Sequence, residues 1–325
     1  MTHQPGVKSA ASTPTRSAFS TSGVAYFHGR FMPIEDANVN IMTHAFLYGT
    51  AVFEGIRGYA DQDSANQIYV FRLAEHLERL RRSARVLRMK LTGTTEELIE
   101  ITKELIQAGN FKCDVYIRVN SYKSALGIGM KLDDQEDLFM FALPVQGKYL
   151  ATDTGIHMAI SSWRRIEDNA IPSRAKINGS YVNLALSAEE IRSNGFDEAL
   201  LLNEDGHVSE AAGMNVFLVR NGHLITPGVT ENILEGITRH SIICLAKSEM
   251  GIDTVERQVD RSELYTADEI FLSGTAAEVV PVVSLDRRPI GDGKIGSITS
   301  SLSRIYERVV RGGVSRYENW LVPVY

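Results

Sequence analysis

The stretch SRAKINGSY (residues 173–181) carries a single lysine, Lys176, among mostly small residues, with Pro172 just before it. A lysine that only improves solubility normally lies among other charged residues on a polar helical face. Lys176 instead lies between Ala175 and Ile177, where its ammonium has little water if the segment packs inward. Because a desolvated ammonium loses its proton more readily, this position favours a lysine that works as an amine.

The sequence around this lysine predicts alternating strands and helices. Before it, IHMAISSW (156–163) alternates and is rich in β-branched residues, which indicates a strand. After it, Tyr181 to Ser193 reads as a helix closed by Asn194 and Gly195. Further on, Asn221-Gly222 joins two apolar runs and is a strong hairpin signal. Thr238 has the residue type of an N-cap for the helix RHSIICLAKSEMG.

The first half of the chain also mixes strands and helices. VAYFHGRFMP predicts a hairpin around Gly29, and the apolar spacing from Arg72 to Arg88 predicts an amphipathic helix. Thr94 and Glu97 have the spacing of a capping box, which starts a second helix that ends near Gly109.

The stretch DVYIRVN (114–120) alternates strictly and predicts a strand with two different faces. Val115, Ile117 and Val119 point to one side of that strand. Tyr116, Arg118 and Asn120 point to the other side. The strand therefore carries one apolar face and one face with polar side chains.

A chain of 325 residues exceeds what one hydrophobic core usually serves, so two domains are expected. The predicted fold class is α/β, with mixed (α+β) and largely antiparallel sheets. The predicted parts are a disordered N-terminal tail (1–23), a small α/β domain (24–146), an interdomain linker (147–154) and a large domain (155–325). The first 34 residues lack any acidic residue, which is also typical of a transit peptide, but Pro5, Gly6 and Pro14 break an amphipathic helix there.

Composition narrows the function classes. The formal net charge of −6 gives no basic surface, which argues against nucleic acid as a partner. Two cysteines are too few for a disulfide framework or a cysteine-rich zinc site and fit a reducing compartment. No apolar run has the length of a membrane span. We therefore expect a cytoplasmic protein that binds neither nucleic acid nor membrane.

No common catalytic motif occurs in the chain. GIGM at Gly127 lacks the third glycine of a dinucleotide site, the histidines have no metal-ligand spacing, and a serine nucleophile elbow is absent, so no metal is expected. What remains is Lys176, a hairpin glutamate in SEAAGMN, and the turns EGIT and SGTAA. Such a set suits pyridoxal phosphate, which needs a lysine for its aldehyde, a carboxylate for its ring nitrogen and amides for its phosphate. The alternative is a lysine paired near a turn and a glutamate on a surface hairpin.

Five segments, in order, resemble the signature segments of the branched-chain amino acid aminotransferases, the fold-type IV pyridoxal phosphate enzymes. They are THAFLYGTAVFEGIRGY, AKINGSYVN, GHVSEAAGMNVF, ILEGITR and LSGTAAEVVPV. The resemblance extends from about Tyr26 to Gly312, which is nearly the whole chain. It implies a two-domain transaminase that exchanges the amino group between branched-chain L-amino acids and 2-oxoglutarate, as a homodimer or larger homo-oligomer.

The resemblance also implies a role for individual residues around the cofactor in the large domain. Lys176 is the catalytic lysine that binds the aldehyde, Glu210 pairs with the pyridine nitrogen, and Tyr181 bonds the phenolic oxygen. Leu234 packs on one ring face. Phosphate binding falls to Ile237, Thr238, Thr275 and Arg79.

On the substrate side, the resemblance assigns the carboxylate of the amino acid to the turn Thr275-Ala276 and to Tyr116. Arg118 receives the distal carboxylate of glutamate, assisted by Tyr48. The other implied pocket residues are Phe53, Arg57, Tyr149, Ala277 and Met130, the last reaching the site of a neighbouring subunit.

The chain departs from the family pattern at three positions. Ala211 replaces a glycine after the hairpin glutamate, Met214 replaces a common acidic residue and leaves Arg57 with a different partner, and Gln146 replaces a common aromatic residue. These departures concern the substrate pocket, so two relatives of the same fold stay open. One is a transaminase for D-amino acids or (R)-amines, and the other is an aminodeoxychorismate lyase, against which Arg118 counts. A non-catalytic cofactor-binding protein is a third possibility.

Overall fold

The computed structural model describes residues 22–61, 67–145, 150 and 153–325. Within these ranges, the first half of the chain forms six strands and three helices. The strands are β1 (Val24–Phe27), β2 (Arg30–Pro33), β3 (Ala51–Ala60), β4 (Ile68–Phe71), β5 (Val115–Lys123) and β6 (Glu136–Pro144). The helices are α1 (His44–Tyr48), α2 (Leu73–Val86) and α3 (Thr95–Ala108).

The second half of the chain adds ten strands and four helices. The strands are β7 (Ile156–Arg164), β8 (Glu198–Leu202), β9 (Val208–Ala211), β10 (Asn215–Arg220), β11 (His223–Pro227), β12 (Thr254–Arg257), β13 (Glu269–Gly274), β14 (Glu278–Leu285), β15 (Arg288–Pro289) and β16 (Leu321–Pro323). The helices are α4 (Tyr181–Ser193), α5 (Ile237–Met250), α6 (Arg261–Leu264) and α7 (Ser297–Val310). Three 3-10 turns cover Ile34–Asp36, Asn178–Ser180 and Ser315–Trp320.

These strands form two sheets. The first has seven strands in the order β16-β4-β3-β5-β6-β1-β2, and every pair in it is antiparallel. The second has nine strands in the order β12-β11-β10-β13-β14-β7-β8-β9, with β15 beside β14. Three of its pairs are parallel, namely β11 with β12, β14 with β7 and β7 with β8. The predicted α/β fold with mixed, largely antiparallel sheets is confirmed.

The two faces of β5 separate as the alternation predicts. Val115, Ile117 and Val119 are fully buried in the core between the first sheet and the helices α2 and α3. Tyr116 and Arg118, on the other face, are only half-buried and line a cavity. The same strand therefore supports the core and opens onto a pocket.

The chain passes from the first sheet to the second between β6 and β7, where the linker was predicted. Much of the predicted linker and nearly all of the predicted tail lie outside the described residues. The last strand, β16, returns to the first sheet and pairs with β4. The predicted large domain (155–325) thus ends with a strand that forms its hydrogen bonds with the sheet of the first half.

The helix boundaries follow local signals closely, with one exception. Thr94 and Glu97 form both hydrogen bonds of the predicted capping box at α3. The prediction of Thr238 as an N-cap is wrong, since α5 begins one residue earlier and Gly236 occupies the cap position without a side-chain bond. Across the described ranges, no helix is both long and apolar enough to cross a membrane.

The lysine segment of the second half packs into the first sheet. Ala175 and Ile177 belong to the core that covers β3, and the amide of Phe53 donates to the carbonyl of Lys176 at 3.0 Å. A Cβ on Gly49 would lie 2.8 Å from the Cα of Gly179, so the two backbones need glycine to approach this closely. The small residues around Lys176 are thus explained by packing between the two halves.

Candidate active site

Two adjoining compartments meet at Lys176. The first is lined by Arg79, Arg165, Lys176, Tyr181, Glu210, Asn215, Leu234, Gly236, Ile237, Thr238, Ser273 and Thr275, among others. The second is lined by Phe53, Gly55, Tyr116, Arg118, Lys176, Tyr181, Thr275, Ala276 and Ala277, together with residues of α4. Lys176, Tyr181 and Thr275 face both. All eight predicted cofactor residues therefore lie around one compartment, and five of the predicted substrate residues lie around the other.

The Lys176 side chain is held by aromatic residues. Its Nζ donates a hydrogen bond to the hydroxyl of Tyr181 at 2.6 Å. The same Nζ lies 4.8 Å from the ring centroid of Phe53, and the Phe53 and Tyr181 rings meet edge to face at 4.8 Å. Since Phe53 comes from β3 and Tyr181 begins α4, the amine is fixed between the two halves of the chain.

Glu210 also lines the first compartment and is held there by three donors. Arg165 Nε bonds one carboxylate oxygen at 3.0 Å, while Asn215 Nδ2 and the amide of Leu234 each bond the other at 3.0 Å. Burial raises the pKa of Glu210, although the charge of Arg165 acts against that shift. The carboxylate is therefore fixed in direction and ready to pair with a positively charged partner in the compartment.

The wall formed by the start of α5 suits an anion. The first amides of a helix lack partners within the helix, and the helix dipole favours negative charge there. Gly236 precedes them, and a Cβ at that position would lie 2.1 Å from Asn215 Oδ1. Ser273 Oγ lines the same space, is buried and has no hydrogen-bond partner among the described residues. Arg79, itself buried, adds a guanidinium to this wall.

The second compartment has an apolar wall and one arginine. The guanidinium carbon of Arg118 lies 3.4 Å from the ring centroid of Phe53, and its Nε donates to Asn120 Oδ1 at 3.2 Å. Asn120 is linked in turn to Asn178 by a hydrogen bond of 3.4 Å. Arg118 therefore lies along the wall of the second compartment, which we call the substrate chamber. Several alanines also line this chamber, and their small side chains leave space in it.

The turn at residues 275–277 is braced from behind by Arg57. This arginine donates to the carbonyl of Ala276 at 3.4 Å and pairs with Asp114 at 3.2 Å and Glu278 at 3.6 Å. Glu278 has a φ of 63°, an unusual backbone conformation for a residue with a side chain. Arg57 thus lies behind the turn, not in the lining of either compartment.

Two other predicted substrate residues, Tyr48 and Met130, lie away from the chamber in the part of the chain that the structure describes. Tyr48 accepts a hydrogen bond from the amide of Gly129 at 3.2 Å, beside Met130. Met130 is 79% exposed. Neither Tyr48 nor Met130 lines the two compartments, and Tyr149 lies outside the described residues, as does Gln146.

Two residues of the first compartment, Arg165 and Asn215, were not predicted. Asn215 is the first residue of β10, and Arg165 follows directly after β7. Both bond Glu210, from which Arg165 is 45 positions away along the chain. Arg165 is one of two adjacent arginines in WRRIE, with no pattern to distinguish it from a solvated charge. Asn215 lies in the hairpin motif that marks Glu210, so its proximity in sequence was a usable signal.

The sequence model of the family described as Amino-transferase class IV matches residues 51–285. The chain belongs to this family. It is 50% identical, over 93% of its length and 96% of the other protein, to the "Probable branched-chain-amino-acid aminotransferase" of Aquifex aeolicus (strain VF5). Among solved structures, the branched-chain aminotransferase of Thermoproteus uzoniensis with norvaline superposes with a TM-score of 0.89 at 40% identity, covering 94% of this chain and 100% of that one.

A second solved structure bears on the cofactor. The branched-chain amino acid aminotransferase from Thermobaculum terrenum, described as the PLP-form (holo-form), superposes with a TM-score of 0.86 at 40% identity. The match covers 93% of this chain and 98% of that one. The predictions of the family, of an aminotransferase and of the pyridoxal 5'-phosphate cofactor are confirmed.

The residues of the first compartment fit pyridoxal phosphate. They provide an amine for its aldehyde in Lys176 and a carboxylate for its ring nitrogen in Glu210. They also provide an anion-binding wall, where the buried Ser273 hydroxyl has no partner of its own among the described residues.

Proposed function

We propose that this class IV aminotransferase exchanges the amino group between branched-chain L-amino acids and 2-oxoglutarate. One observation carries the proposal: Lys176 faces both a compartment with an anion wall and a fixed carboxylate, and a chamber with an apolar wall and one arginine. The first suits the cofactor. The second suits two substrates that differ in whether the side chain is apolar or ends in a carboxylate.

Pyridoxal phosphate, when bound, supplies an electron-withdrawing ring that makes the α-proton of an amino acid removable. Its phosphate is assigned to Arg79, Thr275 and the amides of Ile237 and Thr238, and Leu234 packs on its ring. Glu210, fixed by three hydrogen bonds, holds a proton at the ring nitrogen.

Lys176 holds the cofactor aldehyde and then moves the substrate proton as general base. The Tyr181 hydroxyl, 2.6 Å from Nζ, orients the amine. Because Nζ faces both compartments, the amine can reach the cofactor from one side and the α-carbon of a substrate from the other.

The substrate is positioned by the second compartment. Tyr116 and the turn Thr275-Ala276 bind the α-carboxylate, and Phe53 and Ala277 line the space for an apolar side chain. Arg118 binds the distal carboxylate of glutamate or 2-oxoglutarate, since a guanidinium can hold a carboxylate with two hydrogen bonds.

We also propose a homodimer or larger homo-oligomer. Apolar side chains crowd one region around α1 and the loop at residues 126–130. They are Ile41 (76% exposed), Phe46 (67%), Leu126 (59%), Ile128 (87%) and Met130 (79%). Such a concentration of exposed apolar groups is typical of an interface. Tyr48 and Met130 lie at this surface and complete the site of the neighbouring subunit. Light scattering of the purified protein should give a mass of at least two chains.

We also propose a division into two domains and a cytoplasmic location. The division into domains 24–146 and 155–325, with a linker at 147–154, is supported by the two separate sheets. A cytoplasmic location is supported by Cys113 and Cys244, which form no disulfide.

A half-reaction panel tests the function. The holoenzyme is mixed separately with L-leucine, L-glutamate, D-alanine and (R)-1-phenylethylamine, and the cofactor absorbance is followed. L-leucine and L-glutamate should both convert the cofactor, and the other two should not. Conversion by D-alanine or by the amine alone would favour a relative of the opposite stereopreference, and no conversion by any of the four would contradict a transaminase.

A further inference from the structure

The guanidinium of Arg79 is largely occupied by protein groups. Its Nε and NH2 each donate to one oxygen of Glu54 at 2.7 Å, and its NH1 donates to the carbonyl of Glu235 at 2.8 Å. A guanidinium has five N–H donors. In the part of the chain that the structure describes, two donors therefore remain, one on each terminal nitrogen. N–H groups on the terminal nitrogens of a guanidinium are donors that suit phosphate oxygens.

Glu54 is itself fixed from a second side. It is 0% exposed, and the oxygen that accepts from Arg79 NH2 lies 2.7 Å from His76 Nδ1. Burial raises the pKa of Glu54, but the charges and hydrogen bonds of Arg79 and His76 outweigh it and lower the pKa to about 2. Glu54 is thus an anion at neutral pH.

The position of Glu54 in β3 follows from strand alternation. Phe53 and Gly55 line the substrate chamber, so Glu54 between them points to the opposite face, against α2. Both of its partners, His76 and Arg79, come from α2 and are three residues apart, on one face of that helix. One strand therefore contacts the substrate chamber on one side and the arginine of the cofactor compartment on the other.

We propose that Glu54, supported by His76, is a positioning residue that fixes Arg79 for the cofactor phosphate. The inference rests on the proposed role of Arg79. Glu54 neutralises the charge that would attract a phosphate, so its contribution must be geometric. It removes the rotational freedom of a long side chain and leaves one N–H on each terminal nitrogen for the ligand. A bidentate donor held in place loses less entropy on binding than a mobile one.

The sign of the effect makes the proposal testable. If charge dominates, Glu54→Gln should strengthen phosphate binding, because a buried negative charge is removed. If position dominates, it should weaken binding, because the amide offers Arg79 only one acceptor oxygen. The test compares the dissociation constants of pyridoxal 5'-phosphate and of pyridoxal, which lacks the phosphate, for each purified apoprotein, measured by absorbance.

We expect Glu54→Gln to weaken binding of pyridoxal phosphate by about tenfold and to leave pyridoxal binding within about twofold of wild type. Arg79→Met should do the same. The double variant should be no worse than Arg79→Met alone, because Glu54 acts only through that arginine. Glu198→Gln is the matched control, since Glu198 is also a buried carboxyl of a strand but lies outside the lining of the cofactor compartment.

Each of the other outcomes contradicts one part of the proposal, either the role of Glu54 or the role of Arg79. Unchanged or tighter binding of pyridoxal phosphate by Glu54→Gln, with weaker binding by Arg79→Met, overturns the positioning role alone. If Arg79→Met leaves the ratio of the two dissociation constants as in wild type, the assignment of Arg79 to the phosphate is overturned. If Glu54→Gln does not fold, His76→Gln is measured instead. We expect that variant to weaken pyridoxal phosphate binding by about threefold. Equal losses for both ligands in that variant would mean a purely structural role.

Discussion

The two compartments that meet at Lys176 are built in different ways. In the cofactor compartment the charged groups are fixed by several partners each: Glu210 accepts three hydrogen bonds and Arg79 donates three. In the substrate chamber, Arg118 lies flat on Phe53 with one hydrogen bond to Asn120. Alanines from α4 and from two turns form much of the remaining wall.

This difference separates the chemistry from the choice of substrate. A cofactor that stays bound benefits from charges that are already fixed, because no reorganisation is needed at each turnover. A chamber that accepts both leucine and glutamate, as we propose, benefits from room and from one arginine that can bind a carboxylate. Substitutions in the first compartment should therefore affect every substrate alike, and substitutions in the second should distinguish them.

The largest expected effect is that of Lys176→Ala. It removes the amine that we propose to hold the cofactor and to act as general base, so both half-reactions should fall by about 10⁴-fold or more. Stopped-flow absorbance with L-leucine and L-glutamate measures the rates, and the visible spectrum of the purified protein reports the covalent link. A variant that keeps both the visible band and turnover would remove Lys176 from the site.

Glu210→Gln should have the next largest effect, again on both substrates. The amide cannot hold a proton at the ring nitrogen, and it leaves Arg165 without its carboxylate. We expect the proton-transfer step to slow by about 10²- to 10³-fold while the cofactor remains bound. Single-turnover rates for the two half-reactions provide the measurement. A loss confined to one substrate would contradict the separation of the two compartments.

Much of this cofactor compartment could be predicted from sequence because its motifs are local. Lys176 stood out through its neighbours, and the capping box of α3 and the two faces of β5 followed from short-range spacing. Residues joined across the fold gave no such signal. Glu54 and Arg79 are 25 positions apart, and the pair of Arg165 and Glu210 joins the loop after β7 to β9. Their contacts are decided by tertiary packing.

The substrate chamber was less predictable for a further reason. Tyr48 ends α1, Met130 lies in the loop at residues 126–130, and both lie at the molecular surface. No pattern within one chain indicates which subunit's active site such residues complete. The pairing of β16 with β4 has no sequence signal either, because three residues are too few to show a pattern that would identify the partner strand.

Arg118→Leu should distinguish the two substrates. The distal carboxylate of glutamate would be left unpaired in a partly desolvated chamber, which costs about 2–5 kcal/mol. The leucine half-reaction does not use the arginine directly and should change much less. The kcat/KM of each half-reaction, in wild type and variant, gives the comparison. Equal losses for glutamate and leucine would mean that Arg118 is structural and would remove the main support for a dual-substrate chamber.

The smallest expected effect is that of Tyr48→Phe, which removes one hydroxyl at the exposed apolar surface. Loss of one hydrogen bond costs about 1 kcal/mol, so the glutamate half-reaction should slow by about fivefold and the leucine half-reaction should hardly change. Phe46→Leu, which keeps an apolar side chain on the same short helix, is the control and should leave both rates near wild type.

Mixed oligomers show which subunit Tyr48 serves. In a dimer of one Tyr48→Phe chain and one Lys176→Ala chain, only the first chain has a working lysine. If Tyr48 reaches across the interface, that working site receives the intact Tyr48 of the other chain, and its glutamate rate per active site should equal wild type. If Tyr48 serves its own chain, the site should show the fivefold loss. The second result would contradict the assignment of Tyr48 to the neighbouring site, and its effect would then have to pass through the loop that it contacts at Gly129.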